Sequence, residues 1–354
     1  MPDSVPSAQS APSSASLHPA PPSVLVIGAG MAGLACARAL DRGGLSVTVV
    51  DKGRGPGGRM STRRHETGTF DHGAQFFTAR DPDFQSTVTA WAEAGLVAPW
   101  PERLVRLVDG VAEPADDTPR WVGVPRMSAV TAHLASDLRV LTGRRVIGFE
   151  RCDGRRRAQL DDGSFLPADL CLITAPAPQT ADLLDGHALG DRLRTVEIDP
   201  CIAAMVDFAS PVAVDFDAAR PKDSPLSWIA RDSSKPGRPG GERWVLHASP
   251  LWSREHIDAD PASLAQPMLQ ALADALEPLG HGLPTVSSCR VHRWRYAQVT
   301  RPLGVDHLFD PADGLGYAGD GGLGSRVGNA YRSGVSLAQA VLRSMQPTLA
   351  SASP

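Results

Sequence analysis

The run Val-Leu-Val-Ile-Gly-Ala-Gly-Met-Ala-Gly over residues 24–33 constrains the fold of this chain more than any other stretch. Its four leading apolar residues predict a short buried strand. Gly28, Gly30 and Gly33 then give the G-x-G-x-x-G spacing where strand turns into helix. Gly28 permits the tight turn, Gly30 keeps any side chain away from a pyrophosphate, and Gly33 lets the helix lie close to the sheet. The helix expected over Met31–Arg42 aims its free amides, that of Met31 included, and its positive dipole end at that pyrophosphate. A second apolar run at 46–50 predicts the next strand. Asp51 closes it, where a carboxylate can accept hydrogen bonds from a ribose diol. Many loops match a bare G-x-G-x-x-G, but strand, helix and acid in this order indicate a dinucleotide site.

A chain of 354 residues is long enough for two domains, each with its own core. Its 42% hydrophobic and 21% charged residues are ordinary for a globular protein, and a net charge of −4 indicates no particular partner. No apolar run approaches the ~20 residues of a membrane span. The arginines are scattered, and no nucleic-acid-binding module is visible. The five cysteines are far apart and form no C-x-x-C, which fits reduced thiols of a cytoplasmic protein rather than a disulfide framework or a zinc site. Residues 1–22 are rich in Ser, Pro and Ala, so a disordered tail is expected there. They lack the basic and apolar stretches of a secretory signal. A second loose tail is expected over 346–354. Oligomeric state stays open.

Pieces of the first domain return later in the chain. Strands are expected over 144–150 and 158–160, joined by a polar turn at 153–154, then a turn, a buried apolar strand and a small-residue stop within 163–176, and a helix over 127–138. Near the end, 314–320 reads as a strand ending in Gly-Asp, followed by a helix over 326–345. This assigns 23–79, 124–185 and 300–345 to the nucleotide-binding domain. The tryptophan-bearing blocks 80–123 and 186–299, with strand-like runs at 201–208 and 243–248, form a second domain over the site.

Asp51 is followed by Lys-Gly-Arg-Gly-Pro-Gly-Gly-Arg-Met, ending at Met60. This loop resembles the continuation of the first motif in flavoproteins of the amine oxidase and glutathione reductase group. There the arginine, here Arg59, lies beside the FAD phosphates and ribose. The resemblance implies FAD rather than NAD as the resident nucleotide. Residues 52–64 carry Lys52, Arg54, Arg59, Arg63 and Arg64 and no acid. Such a run is usually a solvated face, but beside a phosphate-binding turn it can also attract an anionic substrate.

Further segments point to one family. They are Phe-Asp-His-Gly-Ala-Gln-Phe-Phe-Thr-Ala-Arg over 70–80, Val-Pro-Arg-Met-Ser over 124–128, Ala-Pro-Ala-Pro over 175–178, Leu-His-Ala-Ser-Pro-Leu-Trp over 246–252, His-Arg-Trp-Arg-Tyr over 292–296, and Gly319-Asp320 with Arg326-Val327. Together they resemble the renalase family, particularly its bacterial branch, over most of 23–345. The resemblance implies an α/β, two-domain FAD-binding Rossmann-type fold, of the glutathione reductase or p-hydroxybenzoate hydroxylase kind, with a mixed-sheet substrate domain. It implies non-covalent FAD and an oxidase of 2- or 6-dihydro isomers of NAD(P)H. Hydride would pass to the flavin and then to O2, giving NAD(P)+ and H2O2. Two departures stand out. Gly321 follows Asp320 where the family often has an aromatic residue, and Gly328-Asn329 stand where it often has Glu-Gly.

The expected cofactor residues are Gly28, Gly30, Met31, Gly33, Asp51, Lys52, Arg59, Gln75, Phe76, Val146, Asp320 and Val327. By the resemblance, Gln75 and Phe76 pass close to the flavin, Asp320 meets the ribityl chain and Val327 the pyrimidine end. Ordinary roles compete: Gln75 as a loop amide, Asp320 as a helix cap, Lys52 as a solvated cation. Trp228, His247, Trp294 and Tyr296 are candidates for the substrate pocket, with core packing as the alternative for the aromatics. No residue is assigned as acid or base, since a dihydronicotinamide releases hydride without one. The competing activity is a flavin amine oxidase or desaturase acting on a small amine or apolar substrate. Lys222 and Lys235, in Pro-, Gly- and Ser-rich stretches, are expected at the surface, which leaves no lysine for an amine oxidase site.

Overall fold

A computed structural model describes residues 22–100, 103–152 and 155–346. The polar turn expected at 153–154, and all but residues 22 and 346 of the tails expected at 1–22 and 346–354, lie outside the described residues.

The strand Ser23–Ile27 sits in the middle of a six-stranded sheet and is buried from Val24 onward. It pairs in parallel with Ser46–Asp51 on one side and Leu170–Ile173 on the other. Arg139–Thr142 extends the sheet past Ser46–Asp51. Leu315–Ala318 extends it past Leu170–Ile173, and the antiparallel His307–Asp310 closes that edge. Both neighbours of Ser23–Ile27 follow it in the chain, one directly through the helix Met31–Arg42 and the other far later, so the strand order runs outwards on both sides of it. This is the switch point beyond whose carboxyl ends an open parallel sheet binds ligands.

The helix Met31–Arg42 packs against the C-terminal helix Val327–Met345, with Leu34, Leu337 and Val341 fully buried in one cluster. Gly334 makes the approach possible, because a Cβ there would overlap the Ala32 carbonyl. The helix expected over 127–138 is shorter, Ser128–Ala135, because Ser136 adopts an extended ψ of 142° and ends it.

A second, seven-stranded sheet runs in the order Val286–Arg301, Glu197–Phe208, Glu242–Ala248, Leu226–Arg231, Ala218–Pro221, Leu104–Val108, Val111–Pro114. It is mixed, with Ala218–Pro221 parallel to Leu104–Val108. The helix Pro261–Leu276 buries Leu264, Met268, Leu272 and Leu276 at i, i+4 spacing against Ile202, Ile229 and Leu246. Strand residues alternate faces. Cys201, Trp228 and His247, next in sequence to those three, therefore point to the other side and line a cavity. The chain is thus the α/β protein its sequence predicts, with a Rossmann-type sheet and a second mixed sheet.

Candidate functional site

The carboxyl ends of the central strands open on one cavity of about 2330 Å³. Ile27 and Gly28, Val50 and Asp51, Thr174, and Gly319 and Asp320 all reach it. Its volume is more than twice the roughly 1,000 Å³ of a large single-ligand pocket, so it has room for a dinucleotide and a second molecule.

The glycine turn is shaped for a ligand. Gly28 has φ +116°, and a Cβ there would stand 2.6 Å from the Thr174 hydroxyl. A Cβ on Gly30 meets no protein atom nearer than Gly58 Cα at 4.0 Å. Protein packing therefore does not demand glycine at 30, whereas a pyrophosphate lying on the turn does. The helix Met31–Arg42 has no side-chain cap and no acid in its first turn, so its first amides are left for an anion. Gly33 stays outside the cavity and serves packing, since a Cβ there would overlap the Gly28 carbonyl oxygen. Asp51 is held by the Ala29 and Gly53 N–H groups, which donate to its two oxygens at 2.6 Å each. Lone pairs remain for a ribose diol. The residues present fit a bound dinucleotide.

Around this turn the structure brings Lys52, Arg59, Gln75, Phe76, Val146, Asp320 and Val327 to the same cavity as Gly28, Gly30 and Met31. Lys52 donates to Gln179 Oε1 at 3.3 Å. Burial and the nearby Arg145 lower the pKa of its ammonium, against the pull of Asp51. Arg59 grips Asp320 with two bonds of 2.6 Å, clamping the first loop to the last parallel strand. Burial works against the Arg59 charge, but the carboxylate more than offsets it and the guanidinium pKa is raised. Val327 starts its helix with no side-chain cap and no acid in the first turn, so its first amides are likewise left for an anion.

Gln75 is one end of a buried network that spacing alone could not reveal. Lys235 Nζ donates to Gln75 Oε1 at 3.2 Å and to Asp232 Oδ1 at 2.6 Å. Asp71 lies 3.8 Å from the same ammonium, and Arg238 pairs with Asp71. The side chains of Lys235 and Arg238 are fully buried. Lys235 is therefore not a surface residue. It leaves the surface because two carboxylates are buried with it, and burial without a partner would be prohibitive. Burial works against the Asp71 charge, yet Lys235 and Arg238 hold its carboxyl below the ordinary value, while burial lifts that of Asp232. The Asp of the 70–80 segment was the available signal, since an acid between Phe70 and His72 calls for a buried cation.

Trp228, His247, Trp294 and Tyr296 line the cavity too. His72 meets His292 edge-on and Trp294 at a tilt, with ring centroids 4.8 and 4.9 Å away, and its carbonyl accepts from Trp294 Nε1 at 3.0 Å. Burial, with His292 and Arg63 nearby, drives the His72 pKa down to about 3. Burial, helped by the charge of Lys235 and opposed by the bond to the His72 carbonyl, brings His247 to about 4, and burial with Arg63 and Arg293 brings His292 to about 4. All three are neutral at physiological pH. The unfolded chain therefore binds more protons than the folded one between about 6.5 and about 4, and stability falls as pH drops through that window. The raised Asp232 carboxyl contributes the opposite slope. We expect His247→Gln to show a smaller loss of unfolding free energy than wild type between about pH 7.5 and about pH 5 in urea titrations. Equal losses would show that His247 is not held neutral.

The charge of the walls is the largest surprise. Among the described residues the cavity collects fifteen of the chain's 35 Lys and Arg residues but four of its 39 acids.

Two comparisons by sequence agree with this architecture. Residues 26–91 match NAD(P)-binding Rossmann-like domains. Residues 114–342 match flavin containing amine oxidoreductases. The chain belongs to the flavin amine oxidoreductase family. It is a flavin-dependent oxidoreductase, and its cofactor is FAD. Hydroxyneurosporene desaturase from Cereibacter sphaeroides is 45% identical over 60 residues, which are 17% of this chain and only 12% of that one. Among solved structures, a candidate protoporphyrinogen oxidase from Exiguobacterium sp. 255-15 superposes with a TM-score of 0.72 at 14% identity, covering 91% of this chain and 99% of that one. A conjugated-linoleic-acid-producing fatty acid isomerase from P. acnes gives 0.65 at 12% identity, covering 91% and 98%. An oxidoreductase from Methanosarcina mazei gives 0.65 at 15% identity, covering 90% and 100%. At these identities the structures share the fold.

The two departures from the renalase pattern have local causes in this structure. A Cβ at Gly321 would run into the Tyr317 hydroxyl, so an aromatic from the preceding strand already fills that space. A Cβ at Gly328 would lie 2.9 Å from Phe84 Cδ1, and Asn329 Nδ2 donates to the Leu323 and Gly324 carbonyls at 3.1 and 3.0 Å. The turn into the C-terminal helix is thus closed by packing and an amide.

Proposed function

We propose that this flavoenzyme oxidises the 2- and 6-dihydro isomers of NAD(P)H, with O2 as final acceptor and NAD(P)+ and H2O2 as products, as its resemblance to renalase implies. The observation that carries this reading is the excess of cations in the cavity. One FAD pyrophosphate does not need fifteen Lys and Arg residues. A substrate with a pyrophosphate of its own uses the surplus, whereas a neutral amine or an apolar chain does not. Bound FAD supplies the hydride acceptor. The protein's part is to align two flat rings and keep water away. Phe76, Trp228, Trp294 and Tyr296 provide flat apolar faces, and the neutral histidines add hydrogen-bonding groups without adding charge.

A second reading, amine oxidase or desaturase, is favoured by the desaturase similarity and by the buried Lys235. Lys235 stands behind Gln75, however, engaged by two carboxylates. Among the described residues no helix is long and apolar enough to cross a membrane.

Anaerobic titration decides between the readings. The flavin should bleach rapidly with the 2- or 6-dihydro isomers, slowly with ordinary NADH and not with simple amines. Bleaching by amines alone would reverse the assignment. Arg63, Arg64 and Arg80 line the cavity beside the cofactor loop. At least one of their alanine variants should raise the dinucleotide concentration for half-maximal bleaching by about tenfold or more, with FAD still bound. The effect should shrink with dihydronicotinamide mononucleotide. If all three behave as wild type, these arginines form only a solvated face.

A further inference from the structure

One corner of the cavity holds more donors than acceptors. Phe76 and Trp228 pack with centroids 5.5 Å apart. The Arg120 guanidinium lies 5.2 Å above the Phe76 ring, and that of Arg220 lies 5.0 Å above Trp228. Asp116 and Thr118 complete the corner. Arg120 is anchored: it donates to Asp116 Oδ1 at 2.9 Å and to the Thr118 carbonyl at 3.1 Å. The Asp116 carboxylate also takes the Thr118 N–H at 3.0 Å. Arg220 is different. It projects from the strand Ala218–Pro221 into the cavity, and no carboxylate lies within ion-pairing distance of it among the described residues. Arg220 is exposed on the cavity wall, and partial desolvation and the like charge of Arg120 both work against its charge, only partly relieved by Asp116. The Trp228 indole N–H, buried beneath, also finds no acceptor.

We infer that Arg220, steadied by Trp228 and backed by Arg120, is the subsite for an anionic oxygen group of the substrate, a phosphate in the dinucleotide reading on which this inference rests. A guanidinium seated over an indole is steadied by the ring and can still present its N–H edge to two oxygens at once. An oxyanion there would relieve the repulsion between the two arginines. The second sheet thereby supplies an anion contact in addition to the arginines beside the cofactor loop.

The test uses the FAD-loaded protein and inorganic pyrophosphate as probe, with binding read by calorimetry. Arg220→Gln should weaken pyrophosphate binding by about tenfold or more, and Arg220→Lys by less, since a point charge replaces the fork. With the dihydro dinucleotide isomers, Arg220→Gln should raise KM by a similar factor with kcat largely kept, and leave the uncharged dihydronicotinamide riboside unaffected. If pyrophosphate fails to bind wild type, or binds Arg220→Gln equally well, the subsite is refuted. If Arg220→Gln loses pyrophosphate but no dihydronicotinamide reduces the wild-type flavin, the anion subsite stands and the proposed substrate falls.

Discussion

Gly30→Val should yield a folded protein that has lost its FAD. The structure separates these two effects. Gly30 has φ −86° and ψ −175°, which any residue adopts, and an added Cβ meets nothing in the protein closer than 4.0 Å. The branched side chain instead fills the space above the first amides of the helix Met31–Arg42, where the pyrophosphate must lie. Losing two charge-assisted hydrogen bonds there costs about 3 kcal/mol or more, a fall of about a hundredfold in affinity. Gly33→Ala should behave in the opposite way. Its Cβ overlaps the Gly28 carbonyl, so helix and strand must separate, and stability should drop by about 1–3 kcal/mol. The flavin-to-protein ratio after gel filtration, with urea unfolding of both variants, checks the pair. A yellow, FAD-saturated Gly30→Val would move the cofactor off this turn.

The nucleotide half of the fold was legible because its signals are local. A four-residue apolar run, three glycines at fixed spacing and an acid at a strand end each act within a few residues, and they name strand, turn, helix and ligand together. The second sheet was only partly legible. Its strand Val286–Arg301 alternates Val, Arg, Trp and Tyr with polar residues at a sheet edge, where half-buried positions blur the period-two pattern. Lys235 was misread for a related reason. Its neighbours are Ser, Pro and Gly, the composition of a loop, and the acids that hold it underground come from Asp71, far away in sequence, and Asp232. The basic cavity was half visible as the 52–64 loop. The rest of it, Arg120, Arg126, Arg220, Arg290 and Arg293 among others, comes from separate elements that only the tertiary fold brings together.

Lys235→Met should destabilise the protein by about 3–5 kcal/mol, the cost of breaking a buried ion network by removing one partner. The ammonium is fully buried, 2.6 Å from Asp232 and 3.8 Å from Asp71. Without it, two buried carboxylates share the single guanidinium of Arg238, and Gln75 loses the donor that orients its amide at the cavity wall. Marginal stabilities of about 5–15 kcal/mol make such a loss easy to see in urea unfolding. The double variant Lys235→Met with Asp232→Asn should regain more than half of it, because the uncompensated charge is then gone. If the single variant is as stable as wild type, the network does not hold the fold. The same variant also weighs the two activities against each other. In the dihydronicotinamide reading Lys235 acts only through Gln75, so any Lys235→Met protein that folds should still be bleached by the dihydro isomers, at most with a shifted flavin spectrum. A variant that keeps its stability and FAD but loses all turnover would place Lys235 in the chemistry itself, and the amine oxidase reading would then account for it better.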